Sequence, residues 1–320
     1  MPASARSLRA VGLAVSLVSV AAVVWWALNQ DAPRLPDERG ELLALLAALG
    51  AYAIGTALRG ERWRVLLRRS DIDASRADCQ GLNLVGYMGN NVLPARGGDV
   101  IRVSLLVPRV RGRARGVIGT LVAERVLDAA LLLALFALLG YVLLDGVGAP
   151  GGARVAIVAG AAIALVALVA GGLALAQRHE WGRRVRAFIQ PMTSATRDLR
   201  GRHGARMAAV TVVIWVFEAG TWYFTGLAAG LEIVAVEALY LVALCSVFVL
   251  IPSGPGYAGT LDAAVLFGVK AIGGTGAEAV SYLLLLRFVL LVPITLAGLI
   301  VLVTRYGGWH GRRAPLESGA

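Results

Sequence analysis

Long apolar runs recur along the whole chain and are separated by short polar segments. Six of them come close to or exceed the ~20 residues that an α-helix needs to cross a bilayer. They cover residues 8–28, 42–58, 117–144, 153–177, 207–229 and 279–303. Hydrophobic residues make up 58% of the sequence, well above the share in a soluble domain. We therefore predict an all-α polytopic membrane protein with six full transmembrane helices.

The first run, residues 8–28, also fits a secretory signal peptide. It is long for the apolar part of such a peptide, and it ends in Trp25 and Trp26 rather than in a small-residue cleavage site. Tryptophan is enriched where a helix meets the membrane surface. We interpret the run as a retained transmembrane helix that starts in the cytoplasm.

The positive charge of the chain indicates its orientation in the membrane. The net charge is +11 and comes almost wholly from arginine, with Lys270 as the only lysine. Because arginines between apolar runs mark cytoplasmic loops, we predict cytoplasmic N- and C-termini in the inner (plasma) membrane. This assigns Arg59 and Arg62 to the cytoplasm after the span at 42–58. Anionic lipid headgroups, and not nucleic acid, are the expected partners of this charge.

Two further apolar segments are interrupted and are predicted to form re-entrant or broken helical hairpins. Residues 79–107 contain NNVLPARGGDVIR, in which Pro94, Gly97 and Gly98 break the helix. Arginines flank this segment on both sides, so it enters and leaves on the cytoplasmic face. Residues 238–272 contain IPSGPGYAGTLD and form the second hairpin, from outside. The predicted turn residues of the second break are Pro252, Gly254, Pro255, Gly256 and Gly259.

The order of these segments predicts an inverted repeat within a single integral membrane domain, residues 1–320. Span, hairpin and span follow one another twice and enter the membrane from opposite sides, as in many secondary transporters. The parts are an N-terminal helix and external loop (1–41), a first repeat (42–145), a connecting helix with a basic cytoplasmic segment (146–206), a second repeat (207–303) and a cytoplasmic tail (304–320).

The first hairpin carries the first group of candidate binding residues. Arg96 and Arg102 present planar donor groups that suit a lipid phosphate, and the free amides near Gly98 can add to them. Asn90, Asn91 and Asp99 complete the group. The alternative is a structural Asp99–arginine pair that only neutralises the hairpin.

Further charges lie within the predicted spans, where they are costly and mark candidate functional sites. Glu124 and Asp128 are four residues apart and share a helical face, so they can accept a proton or bind an amine headgroup. Arg125 points elsewhere and is expected to pair with another segment. The alternative for this trio is a charged cluster at the membrane edge.

Three single charges stand in long apolar runs: Glu218, Asp262 and Arg287. Each should face the protein interior, and we expect Arg287 to pair with Glu218 or Asp262. The sequence leaves open whether such a pair is structural or acts in transport.

The sequence predicts no metal site, cofactor or catalytic site. Cys79 and Cys245 are far apart and have no metal-ligand spacing around them. Residues 254–259 read GPGYAG and formally match a dinucleotide fingerprint, but they lack the strand and helix that such a site requires.

Three spaced motifs carry a resemblance to a known family. They read GNNVLPARGGDVIRVSLL, GTLVAERVLDAALL and IPSGPGYAGTLDAAV. Together they resemble the lysylphosphatidylglycerol synthase transmembrane-region family, whose members are also called flippase-like, over about residues 42–303. Family members often have glutamate where this chain has Asp99 or Asp262, so the carboxylates here have a shorter reach.

The resemblance implies a protein that translocates a lipid across the inner membrane or helps to present it. Some members carry a C-terminal aminoacyl-transferase, and the residues after 303 are too few for that domain. We expect a lipid flippase or transporter for a phosphate-bearing lipid, including aminoacylated or glycosylated ones. The alternative is a membrane-embedded enzyme or an accessory subunit of lipid or glycan assembly. A homo-oligomer or a partner lipid-modifying enzyme is compatible with either function.

Overall fold

A computed structural model describes most of the chain. The described residues are 32–93, 97–110, 113–146, 201–249 and 254–307, together with Trp25, Leu28 and Asn29. Several predictions lie outside these residues: the spans at 8–28 and 153–177, the basic segment up to residue 200, the tail after 307, Pro94, Arg96 and Pro252.

Helices make up the described part of the chain, and no strand occurs within it. They are α1 (Arg39–Arg69), α2 (Arg76–Val92), α3 (Gly97–Leu106), α4 (Ala114–Gly146), α5 (Gly201–Ala228), α6 (Ala235–Phe248), α7 (Thr260–Ala271) and α8 (Gly276–Tyr306). Of these, α1, α5 and α8 are long and apolar enough to cross a membrane. The all-α prediction is confirmed for the described residues, and three helices of this length and composition fit a multi-pass membrane protein. The six full spans stay a prediction.

Helix α1 is longer than the sequence predicted. It continues past residue 58 to Arg69, so Arg59 and Arg62 lie inside the helix bundle and not in a cytoplasmic loop. The side chain of Arg62 is only 1% exposed. The prediction was wrong because the rule that arginines mark cytoplasmic loops treats each arginine as an unpaired charge. These two arginines have carboxylate partners on other helices.

The first hairpin consists of α2 and α3, which pack antiparallel at a very short distance. Glycines make this approach possible, because a Cβ on Gly89 would lie 2.6 Å from the Cα of Gly98. The side-chain oxygen of Asn90 accepts a hydrogen bond from the amide of Gly98 at 3.0 Å. Helix α2 ends at Val92 and α3 begins at Gly97, which agrees with the predicted interruption, although Gly97 and Gly98 belong to α3.

The second hairpin consists of α6 and α7, and its break is longer. A short 3-10 turn, Pro255–Tyr257, lies within it, next to Gly254. Gly256, Tyr257 and Gly259 have φ angles of 59°, 55° and 86°. Glycine adopts such angles freely, but a bulky residue such as Tyr257 does so at a cost, which is typical of functional positions. The predicted interruption is confirmed.

The long helices and the hairpins pack around a common interior. Helix α1 lies along α5, and α8 lies along α2. One apolar core joins α5 to α8 around Trp222 and Tyr282, and another joins the first hairpin to α1 around Trp63 and Leu82. The space that remains between these cores is the cavity described below.

The N-terminus of α8 carries a sequence signal for helix capping that can be tested. Thr275 and Glu278 form a capping box, in which the threonine hydroxyl accepts from the Glu278 amide and the carboxylate accepts from the Thr275 amide at 2.7 Å. We expect Thr275→Ala to lower the free energy of unfolding by about 1 kcal/mol. Thermal unfolding in detergent measures it, with Thr304→Ala as the control because its exposed hydroxyl bonds only to its own helix. Equal losses in both variants would contradict the capping role.

Candidate functional site

A cavity of about 560 Å³ lies between the long helices and the two hairpins. Its size is within the usual range for a small-molecule site. What distinguishes it is the number of charged side chains on its wall. They are Arg59, Arg62, Asp99, Arg102, Glu124, Arg125, Asp128 and Glu218.

Helical spacing explains how these charges reach one cavity. Arg59 and Arg62 are three residues apart on α1, and Glu124 and Asp128 are four apart on α4, so each pair shares a face. Both faces point inward, where the two pairs meet. Arg62 and Glu124 are buried.

Arg62 is the centre of the charged wall. Its guanidinium donates to both oxygens of Asp128, at 2.8 and 3.1 Å, and to the hydroxyl of Thr211 at 2.9 Å. A carboxylate oxygen of Glu124 lies 3.9 Å away. Two parallel hydrogen bonds between arginine and carboxylate fix both groups in position, so this pair orients the rest of the wall.

Ion pairs continue from Glu124 toward α3. Arg102 donates to Glu124 at 3.3 Å and lies 3.7 Å from Asp99. Its guanidinium also stacks 4.1 Å from the ring centre of Trp63. Asp99 in turn accepts from Arg125 at 3.0 Å. Arg125 thus pairs with another segment, as the sequence predicted.

In the other direction, ion pairs continue from Asp128 toward α5. Arg59 lies 3.8 Å from Asp128 and donates to Glu218 at 2.9 Å. The eight side chains therefore form one alternating series across four helices, which we call the charge ladder. Its order is Glu218, Arg59, Asp128, Arg62, Glu124, Arg102, Asp99 and Arg125.

Apolar side chains also line the cavity. Val249, Leu261, Leu290 and Leu291 are among them and come from the end of α6, from α7 and from α8. Aromatic side chains with a polar group complete the lining: Tyr52, Tyr87, Trp215, Trp222 and Tyr257. Since the charged residues come from α1, α3, α4 and α5, we call them the charged wall, and we call the apolar residues from α6 to α8 the apolar wall.

The structure brings most of the predicted site residues together. Those that line the cavity are Asn90, Asn91, Asp99, Arg102, Glu124, Arg125, Asp128, Glu218 and the turn residue Gly256. Asn90 and Asn91 also hold the first hairpin, since Asn91 donates to Thr295 on α8 at 2.9 Å.

Asp262 and Arg287 form a second, separate ion pair behind the second break. Arg287 donates to Asp262 at 2.6 Å, which confirms one of its two predicted partners. Arg287 also donates to the carbonyl of Gly256, and Asp262 accepts from the amide of Gly259 at 2.8 Å. The pair fixes the turn and does not line the cavity. Glu218, the other predicted partner, pairs with Arg59.

Sequence reasoning missed several residues of the wall, above all Arg59 and Arg62. One signal was available: the apolar run at 42–58 is short for a span, and the two arginines continue its helical register. Tyr52, Tyr87 and Trp215 gave no such signal, because an aromatic residue in an apolar run looks the same whether it faces lipid or a cavity.

The sequence profile described as "Lysylphosphatidylglycerol synthase TM region" matches residues 9–298, most of the chain. The protein belongs to this family. A member of the lysylphosphatidylglycerol synthase transmembrane-region family is associated with membrane lipids, and the resemblance noted from three motifs is confirmed. The match begins at residue 9 and so includes the first apolar run. Comparison of the chain with curated proteins and with solved structures gave no match.

Proposed function

We propose that the protein moves the headgroup of a phosphate-bearing lipid across the membrane through its cavity. The observation that carries the proposal is the pairing of a charged wall with an apolar wall inside a membrane bundle. A lipid has the same two-sided character. The headgroup can exchange its hydrogen bonds to water for hydrogen bonds to the charge ladder. The acyl chains can lie against the leucine and valine side chains or extend into the bilayer.

The proposal includes the inverted repeat. Helix α1, the α2–α3 hairpin and α4 correspond to α5, the α6–α7 hairpin and α8. The two first helices, α1 and α5, pack against each other, and each hairpin packs on the long helix before it. Two broken hairpins that meet at one cavity are the arrangement expected of a secondary transporter. The complete topology would have six spans, with both termini in the cytoplasm of the cell's inner membrane.

The ladder suits a phosphate for a chemical reason. Arginine presents several donors in a rigid plane and binds phosphate oxygens in pairs. Arg125 is the most accessible ladder arginine, with 44% of its side chain exposed. A phosphate that enters the cavity therefore meets Arg125 first, and the buried arginines hold the rest of the wall in place.

Replacement of Arg125 tests the proposal. We expect Arg125→Gln to slow lipid movement by about tenfold, which corresponds to about 1.4 kcal/mol of lost stabilisation. The assay uses proteoliposomes that contain phosphatidylglycerol or phosphatidylethanolamine with a fluorescent short acyl chain. Dithionite then quenches the label that reaches the outer leaflet.

Arg115→Gln is the matched control, because Arg115 is an exposed arginine near the start of the same helix, outside the cavity wall. Wild-type protein that moves neither lipid faster than protein-free liposomes would refute the proposal. Equal rates for the Arg125 and Arg115 variants would remove the cavity from the transport path.

A further inference from the structure

The two ends of the charge ladder differ from its middle in accessibility. The side chain of Arg62 is 1% exposed, and those of Glu124 and Arg102 are 6% exposed. Exposure rises outward to 44% for Arg125 at one end and 21% for Glu218 at the other. A ligand in the cavity can therefore reach one cation and one anion at opposite ends of the series.

The ends also differ from the middle in their ion pairs. Each inner member lies between two groups of opposite charge, while Arg125 pairs only with Asp99, and Glu218 only with Arg59, among the described residues. If Arg125 turns to a ligand, Asp99 still has Arg102. If Glu218 does so, Arg59 still has Asp128. Either end can therefore turn to a ligand while its neighbour in the ladder keeps a partner, and the ends are also the members that a ligand reaches most easily at each side.

The surroundings of Glu218 favour a cation beside it. Tyr52 and Tyr87 line the same cavity as Glu218. Their rings are 6.5 Å apart in an edge-to-face arrangement. Aromatic faces next to a carboxylate stabilise an ammonium group, both through the carboxylate and through the ring electrons.

We infer that the transported headgroup is zwitterionic, with its phosphate at Arg125 and an ammonium group at Glu218. This inference rests on the proposed function and adds the charge class of the substrate. The charges of the described ladder balance, four arginines against four carboxylates. A headgroup with a phosphate alone draws Arg125 away from Asp99, adds a negative charge to the cavity and brings no cation to Glu218. A headgroup with both charges serves both ends and keeps the cavity neutral.

A comparison of two lipids with identical labelled acyl chains tests this inference. Phosphatidylethanolamine carries a phosphate and an ammonium group, and phosphatidylglycerol carries only the phosphate. We expect the first to cross proteoliposomes about tenfold faster, equivalent to about 1.4 kcal/mol. Glu218→Gln should bring the ratio of the two rates close to one. Glu61→Gln should keep the wild-type ratio, because Glu61 pairs with Arg64 and Arg76 away from the cavity.

The outcomes separate this inference from the proposed function. If phosphatidylglycerol moves as fast as phosphatidylethanolamine, or if Glu218→Gln keeps the wild-type ratio, the zwitterionic assignment is overturned while lipid transport stands. If neither lipid moves, both proposals fail. Uptake of glycerophosphoethanolamine without lipid movement would assign the same dipolar chemistry to a soluble solute and overturn the lipid assignment.

Discussion

Replacement of Arg62 by alanine is expected to lower the free energy of unfolding by about 3–5 kcal/mol. The change removes the centre of the charge ladder and leaves the half-buried Asp128 without its two-pronged partner. Thr211 loses a hydrogen bond at the same time. The measurement is thermal unfolding of the purified protein in detergent, together with the yield of folded protein from membranes.

A neighbouring arginine provides the control for this result. Arg64→Ala removes the same side chain two residues away, but Arg64 pairs with Glu61 near the surface. That loss should be at most about 1 kcal/mol. The double variant Arg62→Gln with Asp128→Asn should recover part of the stability, because it also neutralises the carboxylate that has lost its two hydrogen bonds to Arg62. Equal losses for the Arg62 and Arg64 single variants would show that the ladder does not stabilise the bundle.

The second large effect is expected from Gly98→Ala, at about 3 kcal/mol. A Cβ on Gly98 would overlap the backbone carbonyl oxygen of Gly86 and lie 2.7 Å from the backbone nitrogen of Asn90. Backbone atoms cannot move aside as the end of a long side chain can, so α2 and α3 must separate. Asp99 and Arg102 on α3 would then shift away from their ladder partners, and transport should be lost as well.

Gly50→Ala is the control for the hairpin, since a Cβ there has no atom within 4 Å. That change should preserve or slightly raise stability, because alanine favours the helix over glycine. The same thermal unfolding and lipid-movement assays apply to both variants. Wild-type stability and transport in Gly98→Ala would contradict the close crossing of α2 and α3.

The sequence was sufficient to predict the helical class, the two breaks and six of the eight charged residues that line the cavity. Apolar run length predicts spans because lipid leaves a buried backbone no other partner than its own helix. Charges such as Glu124, Asp128 and Glu218 were found because each is too costly to face lipid. The same cost predicted an interior partner for Arg287, and Asp262 is that partner.

What the sequence could not supply was the pairing between helices. Arg59 and Arg62 look like ordinary cytoplasmic arginines until α4 and α5 bring carboxylates to them. The choice of Asp262 over Glu218 as the partner of Arg287 also depends on how α7 lies against α8. Such choices arise from tertiary packing between residues far apart in the chain, for which helical periodicity carries no information.

The span of the charge ladder along the chain has a consequence for biogenesis. Arg59 and its partner Glu218 are 159 residues apart, and Arg62 and Asp128 are 66 apart. A ribosome releases the arginines long before their partners exist, and at that stage the bilayer gives them no counter-charge. The part of α1 that carries these arginines can therefore reach its buried, fully paired position only after α4 and α5 have been synthesised. The charged wall of the cavity is thus completed late, when the most distant partner, Glu218, joins Arg59.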